Sequence, residues 1–209
     1  MKRPYVFINC AMSLDGKIAS PSGKQIRISC DEDIKRMYNL RNESDAVLVG
    51  IKTVISDNPK LTVKEKYVKN PRQPTRIILD SKCKTPVDSL VVNEKSKTYI
   101  ITGSDCKKTY GKNVEIIKCK TKNGTIDLED FIQKIYEKGI KKLMVEGGSR
   151  VITSFISKKL VDDIYIYVGP IIIGGKNTPS LISDIDTNII LKLVETKKIG
   201  SGILLHYKI

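Results

Sequence analysis

The chain has no tryptophan, only three phenylalanines and a single histidine, His206, in 209 residues. One imidazole, and cysteines without C-x-x-C spacing, leave no ligand set for a transition metal. The five cysteines, Cys10, Cys30, Cys83, Cys106 and Cys119, are odd in number. That fits reduced thiols in a cytoplasmic protein better than a disulfide framework. No apolar run approaches the roughly 18 residues of a membrane-spanning helix, so no membrane partner is expected. The N-terminal MKRPYVFINC is basic and then apolar, but its apolar part is too short for a secretion signal and is expected to be a strand. Both G-x-G-x-x-G and G-x-x-x-x-G-K-[ST] are missing, so no generic dinucleotide or P-loop assignment follows from spacing. There is no internal repeat, low-complexity tract or linker, and residues 1–209 are expected to form one domain.

What the chain has in excess is positive charge, +14 at neutral pH. The lysines are spread over its whole length, at 64–69, 107–108, 118–122, 158–159 and 197–198. Nucleic-acid binding calls for clustered charge with interleaved aromatics or a known module, and neither is present. Two readings of the charge stay open: a solvated basic surface, or one that draws in phosphorylated small molecules.

The most informative stretch is residues 46–63, AVLVGIKTVISDNPKLTV. Ala46 to Val49 has the length and composition of a strand buried on both faces. Gly50 ends it, Ile51 to Ile55 makes one or two helical turns, and Asn58-Pro59 breaks them. Thr53 and Asp57, four apart, share a face of that short helix, where Asp57 either meets a ligand or caps the turn.

The rest of the pattern alternates. Tyr5 to Cys10 reads as a strand, followed by a turn at Leu14-Asp15-Gly16-Lys17. Ser29-x-x-Glu32 has capping-box spacing and predicts a helix from about Asp31 to Arg41 or Glu43. Strands are expected at Thr75–Leu79, Lys97–Thr102, Val114–Lys118, Lys142–Val145 and Asp163–Val168, with helices over 127–138 and from an opening at Glu146-Gly147-Gly148-Ser149-Arg150 to about Lys159. Segments 190–199 and 203–209 flank Gly200-Ser201-Gly202 as a terminal hairpin. This predicts an α/β fold with a mainly parallel central sheet, helices on its faces and an antiparallel C-terminal end. Strands ending in Val49-Gly50, Leu79-Asp80-Ser81 and Val145-Glu146-Gly147-Gly148 would meet a ligand at their carboxyl edges. From the residues alone, the chain is a basic α/β domain with an anionic ligand.

Four motifs in order carry a resemblance: MSLDGK at 12–17, VGIKTVISDNPKLTV at 49–63, RIILDSKCKTP at 76–86 and VEGGS at 145–149. With PIIIGGK at 170–176, the chain resembles the reductase family of riboflavin biosynthesis, in its stand-alone archaeal and fungal form. The resemblance implies a dihydrofolate-reductase-like fold, a homodimer and NADPH as cofactor, with NADH as the alternative. It implies the substrate 2,5-diamino-6-ribosylamino-4(3H)-pyrimidinone 5′-phosphate. Hydride transfer to C1′ would open the ribosylamino group to a ribitylamino chain, with neither metal nor covalent intermediate.

Carried onto this chain, the resemblance makes Asp57 and Glu146 the catalytic candidates. It assigns cofactor binding to Thr53, Asp57, Asp80, Ser81, Lys82, Thr102, Gly147, Gly148, Ser149, Arg150, Gly174 and Gly175. Ser81 and Lys82 suit a 2′-phosphate, and the Gly147–Arg150 stretch would cradle phosphate at a helix start while also serving as a tight turn. Substrate binding falls to Asn9, Gln25, Ser29, Arg41, Leu61, Lys64 and Glu146, with Arg41 and Lys64 set to meet the 5′-phosphate. Lys52 departs from the family, which usually has glycine there, and its cation must point away from the cofactor or bind it.

Overall fold

A computed structural model describes residues 2–183, 185 and 188–209. In chain order the elements are β1 (Tyr5–Ser13), α1 (Asp31–Glu43), β2 (Ala46–Gly50), α2 (Ile51–Asp57), β3 (Thr75–Leu79), β4 (Thr98–Thr102), β5 (Val114–Lys118), β6 (Thr121–Lys122), β7 (Thr125–Ile126), α3 (Leu128–Glu137), β8 (Lys142–Gly147), α4 (Ser149–Ser157), β9 (Asp163–Gly169), β10 (Lys192–Ile199) and β11 (Gly202–Lys208). They form two compact units, one of Met1–Tyr5 with Asn39–Met144, the other of Val6–Tyr38 with Val145–Ile209.

In the first unit β2, β3, β4 and β5 pair in parallel, in that order. Every residue of β2 and β4 is buried, as continuous apolar runs in a covered parallel sheet should be. The face of α3 formed by Leu128, Phe131, Ile132 and Ile135 is buried. Asp127 caps that helix by accepting from the Glu129 and Asp130 amides, and Gly139 at φ +85° ends it. Arg76 of β3 is fully buried. Its guanidinium donates to Thr98 Oγ1 at 2.9 Å, Leu90 O at 3.1 Å, Asn93 Oδ1 at 2.8 Å, and the Asn93 and Ser96 carbonyls, both at 2.5 Å. Burial lowers its pKa to about 10. The short β6–β7 hairpin falls outside the expected elements; its signal is Asn123-Gly124, both at positive φ.

In the second unit β9 runs parallel to β1, with Phe7 opposite Asp163 and Ser13 opposite Gly169. That register extends β1 three residues beyond the expected Cys10. β11 pairs antiparallel with β9, and β10 with β11, giving the anticipated C-terminal hairpin. α4 buries Ile152, Thr153, Phe155 and Ile156. The Ser29-x-x-Glu32 spacing does not make a capping box: the Ser29 hydroxyl donates to Asp33 Oδ2 at 2.5 Å, and Asp33 in turn pairs with Arg36 at 2.7 Å. The helix starts one residue later than that spacing needs: the Ile34 amide bonds to Cys30 O at 3.0 Å, which makes Cys30 the N-cap and leaves Ser29 outside it.

Cys83 and Cys106 are joined as a disulfide, their Cα atoms 5.5 Å apart, which corrects the expectation that all thiols are reduced. No helix among the described residues is long and apolar enough to cross a membrane.

Candidate active site

In the first unit, β2 delivers the chain to Gly50 and straight into α2, which presents Thr53 and Asp57, both half-buried, on one side. Ser56 Oγ donates to Asp57 Oδ1 at 2.8 Å, leaving the other carboxylate oxygen for a further contact. Asn58 then adopts φ +40°, its amide closing on Val54 O at 3.0 Å. Asn tolerates that left-handed conformation, and Pro59 prevents the helix from resuming. Leu61 follows at φ +50° with only 2% of its surface exposed. A buried, branched side chain at positive φ costs of order 1–3 kcal/mol, and such strain collects at ligand sites. Lys64 is exposed just beyond it, and Arg41 Nη1 donates to Thr62 O at 3.0 Å. Arg41 thus supports this segment. Lys52 is exposed, its side chain in solvent.

At the carboxyl end of β3, Asp80 is buried. Its Oδ2 accepts from both the Thr85 amide and the Thr85 hydroxyl at 2.7 Å, while Oδ1 is buried without a partner. Gly103 N donates to Ser81 O at 3.1 Å, tying the ends of β3 and β4 together, and Lys82 is exposed. Thr102 is buried, with its hydroxyl bonded to the backbone of Ser104. Thr102 therefore shapes its loop through its side chain.

In the second unit, Glu146 and Gly147 close β8 and Gly148 turns at φ +83° into α4, whose first turn carries Ser149 and exposed Arg150. No side-chain hydrogen bond caps this N-terminus, and the Val151 amide closes back on Gly148 O at 2.8 Å; an uncapped helix start is what an anion site requires. Asn9 on β1 is buried with Oδ1 unpartnered. Ser29 is held by Asp33, and Gln25 lies exposed in the loop before it. Gly174 and Gly175 both have positive φ, and a Cβ on Gly175 would lie 2.3 Å from Thr178 Oγ1. Only glycine fits there.

Three residues take on roles that the sequence does not give them. Asp15 accepts from the Ile173 amide at 3.0 Å, the Gly174 amide at 2.8 Å and the Ser13 hydroxyl at 2.6 Å. These bonds, the hydroxyl first, lower its pKa to about 2. Asp33 orients Ser29, and Gln73 binds the backbone of Val63. The Asp-Gly pair marks a turn in the sequence, but nothing local reveals a partner 158 residues away.

A cavity of about 460 Å³ lies elsewhere in the second unit, walled by Ile8, Cys10, Ile152, Ile156, Ile164 and other aliphatic side chains. None of the candidate residues lines it. With almost no polar group it suits packing, not chemistry on a phosphorylated molecule. Burial pushes the Cys10 and Cys119 thiols up to about 12, which removes both as nucleophiles. Among the described residues no group of three His, Cys, Asp or Glu side chains is placed to hold a metal.

Residues 4–205 match the RibD C-terminal domain. The chain belongs to that family. An Archaeoglobus fulgidus protein named 2,5-diamino-6-ribosylamino-4(3H)-pyrimidinone 5′-phosphate reductase is 38% identical over 96% of this chain and 95% of its own length. The riboflavin biosynthesis protein RibD of Actinobacillus pleuropneumoniae is 36% identical, but this chain spans only 57% of it. The crystal structure of a Thermotoga maritima deaminase/reductase superposes with a TM-score of 0.85 at 30% identity, over 99% of this chain and 56% of the other. The dihydrofolate-reductase-like fold is therefore established, and a reductase family implies a nicotinamide cofactor. Two features fit such a group: the glycine turn without a side-chain cap ahead of α4, and the unpartnered buried oxygen of Asp80, ready for a hydroxyl donor.

Proposed function

We propose that this protein reduces 2,5-diamino-6-ribosylamino-4(3H)-pyrimidinone 5′-phosphate to its ribitylamino product, using NADPH. The carrying observation is the Archaeoglobus reductase, similar over nearly the whole of both chains. When bound, the cofactor supplies the hydride to C1′. Gly147 and Gly148 let phosphate approach the backbone, Ser149 and Arg150 add donors, and Gly174 and Gly175 do the same at the late turn. Ser81 and Lys82 favour the 2′-phosphate of NADPH over NADH, while Asp80 and Thr102 hold the loops that carry them. Thr53 and Asp57 orient the nicotinamide end. Asn9, Gln25 and Ser29 offer donors and acceptors to the pyrimidine, and Leu61 and Lys64 serve the sugar phosphate, with Arg41 behind them. Glu146 or Asp57 handles the proton that accompanies ring opening.

The partner we infer is a second copy of this chain, joined through the C-terminal strands. Leu193, Val194 and Ile203 are 52%, 47% and 49% exposed there.

The test follows nicotinamide absorbance with NADPH or NADH, with and without the diaminopyrimidinone and its deaminated counterpart. Substrate-dependent loss of NADPH, weakened at least about tenfold in both Asp57→Ala and Glu146→Gln, is expected. Consumption without pyrimidine, or none at all, overturns the reading.

A further inference from the structure

We infer that Gln73 is a positioning residue for the substrate's phosphate end, acting through a two-point clamp on the backbone of Val63. The inference rests on the reductase reading above, in which Leu61 and Lys64 meet the sugar phosphate.

Between Asn58 and Lys64 the chain is in neither helix nor strand, yet Leu61, Thr62 and Val63 are all buried. Buried backbone groups must find partners, and no strand supplies them here. Gln73 does so. Its Oε1 accepts from the Val63 amide at 2.8 Å, and its Nε2 donates to the Val63 carbonyl at 3.0 Å. A primary amide carries one acceptor and a donor side by side, as a neighbouring strand would. Arg41 satisfies the preceding carbonyl, Thr62 O, at 3.0 Å.

The clamp has something to hold. Leu61 sits at φ +50°, a conformation that persists only where the surroundings over-determine it. On the other side, the Lys64 carbonyl accepts from the Tyr67 and Val68 amides at 3.0 and 3.2 Å. The backbone of Lys64 is thus fixed from both directions while its side chain reaches solvent. Gln73 itself is half-buried, immediately before Pro74 and β3, so it is anchored to the parallel sheet of this unit. A flexible lysine recognises phosphate as a point charge, and its contribution depends on where its backbone is held.

Two variants separate positioning from bulk stability. Gln73→Met keeps the length and loses both hydrogen bonds. Gln73→Glu keeps an acceptor for the Val63 amide but sets a second oxygen against the Val63 carbonyl until the carboxyl is protonated. Each is expected to raise KM for the pyrimidine phosphate about five- to twentyfold, with KM for the nicotinamide cofactor within about twofold and kcat within about threefold of wild type. Relative to wild type at each pH, Gln73→Glu recovers as pH falls towards the ordinary glutamate value of about 4.3, because the protonated carboxyl again offers a donor. Gln73→Met does not. Unchanged substrate KM in both folded variants overturns the inference, and so does a parallel rise in both KM values, which marks general loosening. Absence of turnover in the wild type is a different failure: it removes the reductase reading, and this inference with it.

Discussion

Two single residues carry disproportionate weight away from the chemistry. Arg76 places five hydrogen bonds inside the first unit, joining β3 to β4 and to the backbone at Leu90, Asn93 and Ser96. Arg76→Met leaves the Leu90 carbonyl and the Thr98 hydroxyl short of a donor in a dry setting, at a cost of at least about 3 kcal/mol. Thermal melting should fall by roughly 6–12 °C, and Arg76→Lys, with three donors on one point, should recover only a minor part. In the second unit Asp15 holds the Ile173–Gly174 turn. Its folded pKa of about 2 lies below the ordinary aspartate value near 4. A depressed carboxyl stabilises the fold fully above its unfolded pKa and ceases to do so as pH drops through the folded one. The gap in melting temperature between wild type and Asp15→Asn should therefore be widest above about pH 4 and close towards pH 2. A gap that is constant with pH would show that the ionised carboxylate is not what holds the turn.

Elements were legible where local chemistry decides them. Val49-Gly50 followed by Asn58-Pro59 marks the start and stop of α2, and Asp127 with Gly139 brackets α3. The capping box at Ser29 failed because the helix starts at Asp31 with Cys30 as its N-cap, one residue later than the spacing requires. Roles that depend on distant partners, such as Asp15 with Gly174 or Gln73 with Val63, leave no periodic or spacing signal. The disulfide is of this kind too: an odd cysteine count argues against a framework but does not forbid one pair. Cys83 stands in the loop after β3, beside Lys82, and Cys106 in the loop after β4. Closing 23 residues of chain is worth about 3 kcal/mol in the entropic account. Denatured protein without reductant should show three reactive thiols, those of Cys10, Cys30 and Cys119, and all five after reduction. Cys106→Ser should melt about 6–12 °C lower than oxidised wild type, and equally with reduced wild type. Five thiols before reduction would refute the bridge.

At the scale of the molecule, the C-terminal hairpin is the exposed feature that its own unit does not explain. Among the described residues β10 pairs only with β11, and seven of its eight residues are exposed. An edge strand carrying Leu193 and Val194 is an invitation to pair or pack. Lys192, Lys197 and Lys198 on the same strand, and a register shift between Leu193 and Glu195, restrict open-ended pairing. Lysines flanking a central apolar patch suit a closed, self-complementary contact better than a fibre, because a two-fold interface meets the same patch once and stops. Wild-type protein at micromolar concentration should therefore scatter light with twice the 23.4 kDa mass of one chain. Leu193→Asp with Val194→Asp should halve that mass, since a two-fold contact would bring four carboxylates out of water in place of its apolar patch. A wild type that is already monomeric at that concentration would leave the exposed strand without its second copy and rule out this face as the dimer contact.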